Sequence, residues 1–535
     1  MKKTIVYKLC TALLASTFIV SLLAGCGGES TPETTAAAKT EADSEKTTAD
    51  VVANTEAEDT EALTGGGGSS EDSYHIVMAL FQGSKSEDEA KVTAAINELT
   101  EKELNMTYEM LFLSWGDWSQ KLNLMLSSGD KLDVFPVEYN LAPSYVAAKQ
   151  VVDLSDYIFE HGQDILRLVG EEEALSASVG GFIYGIPPQK ESASLAGVVM
   201  RKDMVDACDI DVDSIKTLAD LTEVYAKVKE VYPNVDCIAG TNGINQWRDH
   251  DILSNRLGVL MDDGQDTTVV NWYETDSYKS KAKLMSEWYQ AGYMKLDAAT
   301  TNIGIQDQIK AETLFSYFST IKPGFLVQAN SQAQTEMVYA YIGHDDGSIL
   351  NTLNTNNVNN RNWGIAQNSE DKVKSMQFIN FAYSNSDFMN LLNWGIEGEH
   401  WEFVDGSDNI IDYPAGVDDA SVTWHQNMGW HFPNQYIAHI WNGLPEDIWD
   451  QYKAFNDSAV KSKAFGFLFD STSVATEIAA LLSVQQEYDK VLETGSSPDY
   501  EKTLQEYNDK LYASGLQKVM DLKQEQLDAW LAEQG

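Results

Sequence analysis

The residues best suited to chemistry by type and spacing lie at Leu391–Trp401, LLNWGIEGEHW. Two carboxylates beside an imidazole are the raw material of general acid–base catalysis. Two indoles among carboxylates are equally the material of a surface that grips a pyranose. Trp rings lie against the apolar C–H face of a sugar while polar groups match its hydroxyls. Residue types leave both open. Phe388, Leu391 and Leu392 fit the buried face of a helix beginning after Ser386. Gly395 is expected to end that helix and Gly398 to permit a second tight turn, so Glu397 sits between two bends. Glu397 reads either as a direct ligand contact or as a brace for Trp401. Glu399 and His400 read as exposed or structural.

A second cluster, TWHQNMGWHFPNQY at Thr423–Tyr436, mixes Trp424 and Trp430 with Asn427, Asn434 and Gln435. Amides offer a donor and an acceptor together, which suits vicinal hydroxyls. GINQWRDHD at Gly243–Asp251 has the same character around Trp247. At least one of Trp424, Trp430 and Trp247 is expected to be a stacking platform, with Trp115 and Tyr139 next in line. No GxSxG elbow, P-loop, helix-opening GxGxxG, HExxH or paired CxxC occurs. His425, His431 and His439 match no common metal spacing. Asp209–Asp220 sets acids at calcium-loop positions, but Ser214 stands where that turn wants Gly and Lys216 follows. It reads as a loop in which Thr217 or Asp220 caps the next helix. Neither metal nor cofactor is expected.

The elements that must position these residues follow an alternating pattern. Tyr74–Phe81, Met106–Leu113 and Asp133–Val137 read as buried strands. A capping box at Ser86 and Glu89 and a cap at Asp117 open the helices between them. Strand–helix–strand order implies a parallel sheet with right-handed crossovers, whose ligands gather at the carboxyl ends of the strands. The loops at 81–84, 114–117 and 137–140 then share one rim. Phe182–Ser192 enters a Pro-Pro turn, after which the pattern restarts at Ala196. Trp288 and Tyr289 lie in an amphipathic helix. The C-terminus is helical, starting at Ser497-Pro498 and interrupted at Gly515, with Leu516, Val519, Lys523, Leu527 and Trp530 following.

At 535 residues the chain is long enough for two domains or lobes. Its 37 basic and 82 acidic residues give −45, which argues against nucleic acid and anionic membrane surfaces. Charge of that sign favours an uncharged ligand unless a local basic pocket overrides it. Lys2, Lys3 and Lys8 precede an apolar run ending in LLAGC at Leu22–Cys26, too short for a comfortable membrane span. This resembles a bacterial lipoprotein signal, with Cys26 lipidated. Residues 27–73 are Thr, Ala, Glu, Ser and Gly with a GGGGSS tract, and read as an acidic, disordered tether. Cys208 and Cys237 are then the remaining thiols, and two Cys are no disulfide framework.

The body resembles the extracellular solute-binding proteins of ABC importers, in the oligosaccharide-binding group of family 1. The likeness is carried by DWSQKLNLMLSSGDKLDVF (Asp117–Phe135), YGIPP (Tyr184–Pro188) and GIAQNSEDKVKSMQFINF (Gly364–Phe381). NWGIEGEHW (Asn393–Trp401) and LYASGLQKVMDLKQEQLDAWL (Leu511–Leu531) complete it. Asp371 departs from it, standing where relatives often have Pro at a helix start. The resemblance implies an α/β, two-lobed periplasmic-binding-protein-like fold of type II with ligand held between the lobes. It places lobe one at about 74–192 plus 335–400 and lobe two at 193–334 plus 401–535. The chain should cross near Gln189–Ser192, Gln334 and Trp401.

The expected function is a lipid-anchored, monomeric receptor on the outer face of the cell membrane. It would deliver an uncharged oligosaccharide to an ABC permease and its ATPase without catalysis. The alternatives are a surface glycosidase working through a carboxylate pair and a peptide-binding lipoprotein. Candidate ligand contacts are Trp115, Glu138, Tyr139, Glu191, Trp247 and Tyr317, together with Glu397, Trp401, Trp424, Trp430, Asn434 and Gln435.

Overall fold

The computed structural model describes residues 73–81, 83, 86–114, 117–240, 249–301, 303–355 and 361–534. The signal, Cys26, the tether, Trp115 and Trp247 lie outside them. Among the described residues no helix is long and apolar enough to cross a membrane.

Two mixed sheets, each with helices packed against it, organise two lobes. The first sheet runs in the order Arg361–Ile365, Val134–Glu138, Tyr74–Phe81, Met106–Leu113. Tyr74–Phe81 pairs in parallel with Met106–Leu113 over its whole length, from Tyr74 opposite Met106 to Phe81 opposite Leu113. Ile76 to Phe81 are all buried, as a strand covered on both faces requires. Arg361–Ile365 returns antiparallel, with Arg361 opposite Glu138. The second sheet runs Met337–Tyr341, Leu195–Arg201, Leu314–Ile321, Asp236–Ile238. Leu195–Arg201 is antiparallel to both neighbours, while Asp236–Ile238 is parallel to Leu314–Ile321.

The helices begin and end largely where the sequence places them. Glu89–Leu104 buries Val92 and Ile96, and Trp118–Ser128 stops at Gly129, which is left-handed with φ 81. The capping box at Ser86 and Glu89 does not form. Asp88 holds the cap position without a side-chain cap bond, because its carboxylate is engaged elsewhere. Asp371 caps Lys372–Ser384 by accepting from the Lys374 N–H at 3.0 Å. In the 209–220 loop, Asp220 accepts from the N–H groups of Lys216 and Thr217 and from the Thr217 hydroxyl. Cys208 and Cys237 are buried free thiols.

The lobe boundaries expected from the resemblance shift. Met337–Tyr341 belongs to the second sheet, so the second crossing lies within 342–360 rather than near Gln334. Trp424, Met428 and Phe432 fill the core of the first lobe, and the core of the second resumes with Ala464, Phe467 and Phe469. The third crossing is therefore within 433–463, not near Trp401. Apolar side chains in 424–432 decide this, since burial outweighs their position after the lobe-one helices. Around the first crossing, Ile186 bridges to Trp363 of the first sheet, and Ser194 bridges to Thr352. Close backbone approach needs two glycines here. A Cβ at Gly364 would meet the Tyr184 carbonyl at 2.6 Å, and one at Gly185 would meet the Asn362 Cβ at 2.8 Å.

Candidate functional site

The parallel strands of the first sheet end at Phe81, Leu113 and Glu138, and those of the second at Ile238 and Ile321. A cavity of about 720 Å³ opens at this end of the second sheet, beside Ala196, Thr320 and Ile342. The first crossing supplies one wall through Lys190–Ser194. The segment Gly343–Asp346 supplies another, and the helix start at Asp276–Lys281, with Asp249, a third. A smaller cavity of about 330 Å³ shares Thr320 and Lys322 with it. Tyr317, Phe325, Gln306, Gln328 and Gln332 line that second space, aromatic faces among amides.

The three crossings are stitched edge to edge. Asn456 accepts from the Ser192 and Ala193 N–H groups at 2.8 and 3.0 Å and donates to the Lys190 carbonyl at 2.9 Å. Gln435 N–H donates to the Gln189 carbonyl, and Gln189 N–H to the Pro433 carbonyl, both at 2.9 Å. Glu191 stands at this junction with its side chain 10% exposed. One carboxylate oxygen takes the Lys322 ammonium at 2.5 Å and the other the Gln435 amide at 2.9 Å. Burial works to raise the Glu191 pKa, but the charges of Lys322 and Lys190 overcome it and hold the carboxyl below its ordinary value. Burial lowers the Lys190 pKa against the opposing charge of Glu191, and the neighbouring charges of Lys322 and Arg361 add to the lowering.

On the first lobe, Arg361 lies 3.6 Å from the Glu138 carboxylate. Its guanidinium sits 5.0 Å from the Phe81 ring and 5.9 Å from the half-buried Trp430 ring. His431 packs edge-on to Phe81, its centroid 5.0 Å away, and is buried, with neither ring nitrogen hydrogen-bonded to any of the described residues. Burial and the charges of Arg361 and Lys190 hold it neutral, with its pKa pushed down to about 3. Tyr139 reaches across, its hydroxyl donating to the Phe467 carbonyl of the second lobe at 3.0 Å.

The expected contacts therefore divide. Glu191 lines the main cavity and Tyr317 the smaller one. Glu138 and Trp430 stand together around Arg361. Tyr139 is buried and joins the lobes rather than facing solvent. Trp424 is fully buried, its indole N–H donating to the Leu392 carbonyl, so it is core and no platform. Asn434 is buried too: it donates to the Tyr383 carbonyl and accepts from the Tyr436 N–H. Gln435 braces Glu191. Trp401 is buried against Phe403 and His439, with its indole N–H on the Gly395 carbonyl at 2.9 Å. Lys190, Lys322, Arg361 and Asn456 were not among the candidates. Lys190 alone had a local signal, adjoining Glu191 after the Pro-Pro turn.

The NWGIEGEHW stretch resolves into a latch. The helix Ser386–Trp394 stops at Gly395 with φ 85, where a Cβ would lie 2.5 Å from the His400 Nδ1. Glu397 is exposed and bridges through its backbone to Trp401. His400 Nδ1 accepts the Ile396 N–H at 2.9 Å, and Nε2 faces Asp88 at 3.2 Å. Thr423 and Lys91 donate to the same Asp88 oxygen, and Lys91 also reaches Glu399. Asp88, Glu399 and His400 bring ligand atoms within 4.8 Å of one another, a spacing that a metal could use. The hydrogen bonding opposes it. A neutral ring that accepts at Nδ1 carries its proton on Nε2, which leaves no lone pair there for a metal.

Residues 82–387 match the family described as bacterial extracellular solute-binding protein, and residues 463–532 match a domain of unknown function, DUF3502. A carbohydrate ABC transporter substrate-binding protein of Streptococcus pneumoniae serotype 4 is 26% identical over 468 residues, covering 85% of this chain and 91% of that one. The crystal structure of the N-glycan transport solute binding protein NgtS from Streptococcus pneumoniae superposes with a TM-score of 0.76 at 24% identity, covering 86% of this chain and 100% of that one. The same protein in complex with Man5GlcNAc gives 0.69, at 24% identity and with 86% and 99% covered. An extracellular solute-binding protein from Bifidobacterium longum subsp. infantis gives 0.58 at 14% identity, with 86% and 99% covered.

Proposed function

The chain belongs to the bacterial extracellular solute-binding proteins, and from that premise we propose that it captures an oligosaccharide for import by an ABC transporter, without chemical change. The observation that carries this reading is the polar cavity of about 720 Å³ at the strand ends of the second lobe, adjoined by the amide- and aromatic-lined space around Tyr317. Mixed amide and ring surfaces suit saccharides better than apolar solutes. The relatives described as carbohydrate and N-glycan receptors support the same class. Sugar first settles on one lobe. Contacts from the other then bias closure about the three crossings.

Calorimetry of the soluble chain against a panel of oligosaccharides tests this, followed by product analysis after long incubation. Saturable binding with the sugar recovered intact is expected. Absence of binding to any saccharide, or slow hydrolysis abolished by Glu397→Gln, would overturn it. The lipoprotein-type N-terminus adds a separate expectation of a lipid anchor at Cys26 and a permease partner in the membrane. Cys26→Ala should release the protein from the cell envelope and leave sugar affinity unchanged. Persistence in salt-washed membranes would count against the anchor.

A further inference from the structure

Among the described residues, the cationic side chains around the cleft floor other than Lys190 stand in ion pairs. Glu191 holds Lys322 at 2.5 Å, Asp249 holds Lys281 at 2.9 Å, Asp263 holds His344 at 3.0 Å and Glu138 faces Arg361 at 3.6 Å. Lys190 lines the main cavity, and no carboxylate among the described residues pairs with it. Its ammonium donates to the Glu191 carbonyl at 3.1 Å. The other cavity carboxylates, Asp276, Asp345 and Asp346, are exposed at the rim, where water and salt screen them. The Glu191 carboxylate acts on Lys190 as well, but it is already ion-paired with Lys322, so two ammonium groups share one carboxylate and a half-buried positive charge is left over, an arrangement that costs free energy until an anion arrives.

We propose that the cleft floor receives one carboxylate of the saccharide, of uronic or sialic type, on the Lys190 ammonium. The inference rests on the oligosaccharide reading and names the ligand's charge. Lys322, which shares Glu191 with Lys190, and Arg361 both act on Lys190 with positive charge, so the local balance at the cleft floor is cationic. Sugar hydroxyls could accept from Lys190, but they would leave its charge uncompensated. The net −45 of the chain belongs mainly to its exterior and does not govern this interior point.

The test is calorimetry with matched pairs on the full soluble chain: lacto-N-tetraose against its sialylated form, and xylotetraose against the glucuronic-acid-bearing xylo-oligosaccharide. In at least one pair the acidic member should bind about tenfold tighter at low salt, with the preference shrinking in 0.5 M NaCl, as a partly screened charge pair requires. Which pair responds distinguishes the sialic from the uronic source. Lys190→Gln should erase the preference and Lys190→Arg should keep it, with thermal melts confirming that both variants fold. Neutral members binding as well as or better than acidic ones would overturn the carboxylate and leave the oligosaccharide reading standing. Failure of every saccharide to bind would overturn both.

Discussion

Trp424 and Trp430 are six residues apart and differ in burial, the first fully buried and the second half-buried. Trp424 is fully buried in the first-lobe core, so Trp424→Ala should cost about 3–5 kcal/mol of folding stability, read by urea titration. Trp430 is half-buried beside Arg361, so Trp430→Ala should cost on the order of 1–3 kcal/mol of sugar binding and leave the melting temperature nearly unchanged. An equal loss of stability in both would remove Trp430 as a platform. The residue types at both positions were legible from sequence, but exposure was not. It depends on which lobe claims the segment, and the lobe-one core claims 424–432. Asp88 shows the same limit. It sits in a cap position, yet its carboxylate is drawn away by Thr423 and His400, whose hydrogen bonds take its pKa to about 2 from 3.8. A depressed carboxyl stabilises the fold above its unfolded value and loses that contribution as pH falls through its folded value. Asp88→Ala should therefore destabilise by about 1–2 kcal/mol at pH 7, and the gap should close between pH 4 and pH 2.

Among the elements, strands were the most legible. Apolar runs flanked by turn signals fixed Tyr74–Phe81 and Met106–Leu113 to the residue. Pairings between distant segments, such as Met337–Tyr341 with Leu195–Arg201, had no local signature and were misplaced. The long helix Ala475–Glu493 carries a device of the same non-local kind. Asp489 and Glu493, one turn apart, share Arg256 from a distant loop at 3.2 and 3.4 Å. Burial first, and then the Asp489 charge, raise the Glu493 pKa to about 7. A raised carboxyl contributes stability below its unfolded pKa and loses it as pH rises through the folded one. The chain should lose roughly 1–2 kcal/mol between pH 4.5 and pH 7.5 through this site, and Glu493→Gln should flatten that dependence in denaturant titrations. A slope unchanged in the variant would place the titration elsewhere. Asn456, which bonds three backbone groups of the first crossing, is the corresponding tie between lobes. Asn456→Ala should lower stability by about 1–3 kcal/mol, because it leaves those groups unpaired, and a melt unchanged from wild type would contradict that.

At the scale of the molecule, the two-lobed plan followed from family motifs spread over the whole body, whereas the charge inside the cleft did not follow from the total. Neither lobe is a continuous stretch. The first core needs residues from Ile76 to Ile186 and again from Trp363 to Phe432, and the second needs Val198 to Ile342 and then Ala464 to Leu527. Three crossings laid side by side thus set a timetable for synthesis. Emerging from the ribosome, the chain cannot close its first lobe until about residue 440 is free, nor its second until nearly the last helix is made. A released chain truncated after residue 440 should resist protease over the first lobe while remaining cleavable within 195–342, and protection there should appear only when Leu516–Gln534 is present. A receptor built this way stays incomplete for almost its entire translation, which keeps it pliable for any export machinery that passes only unfolded chains.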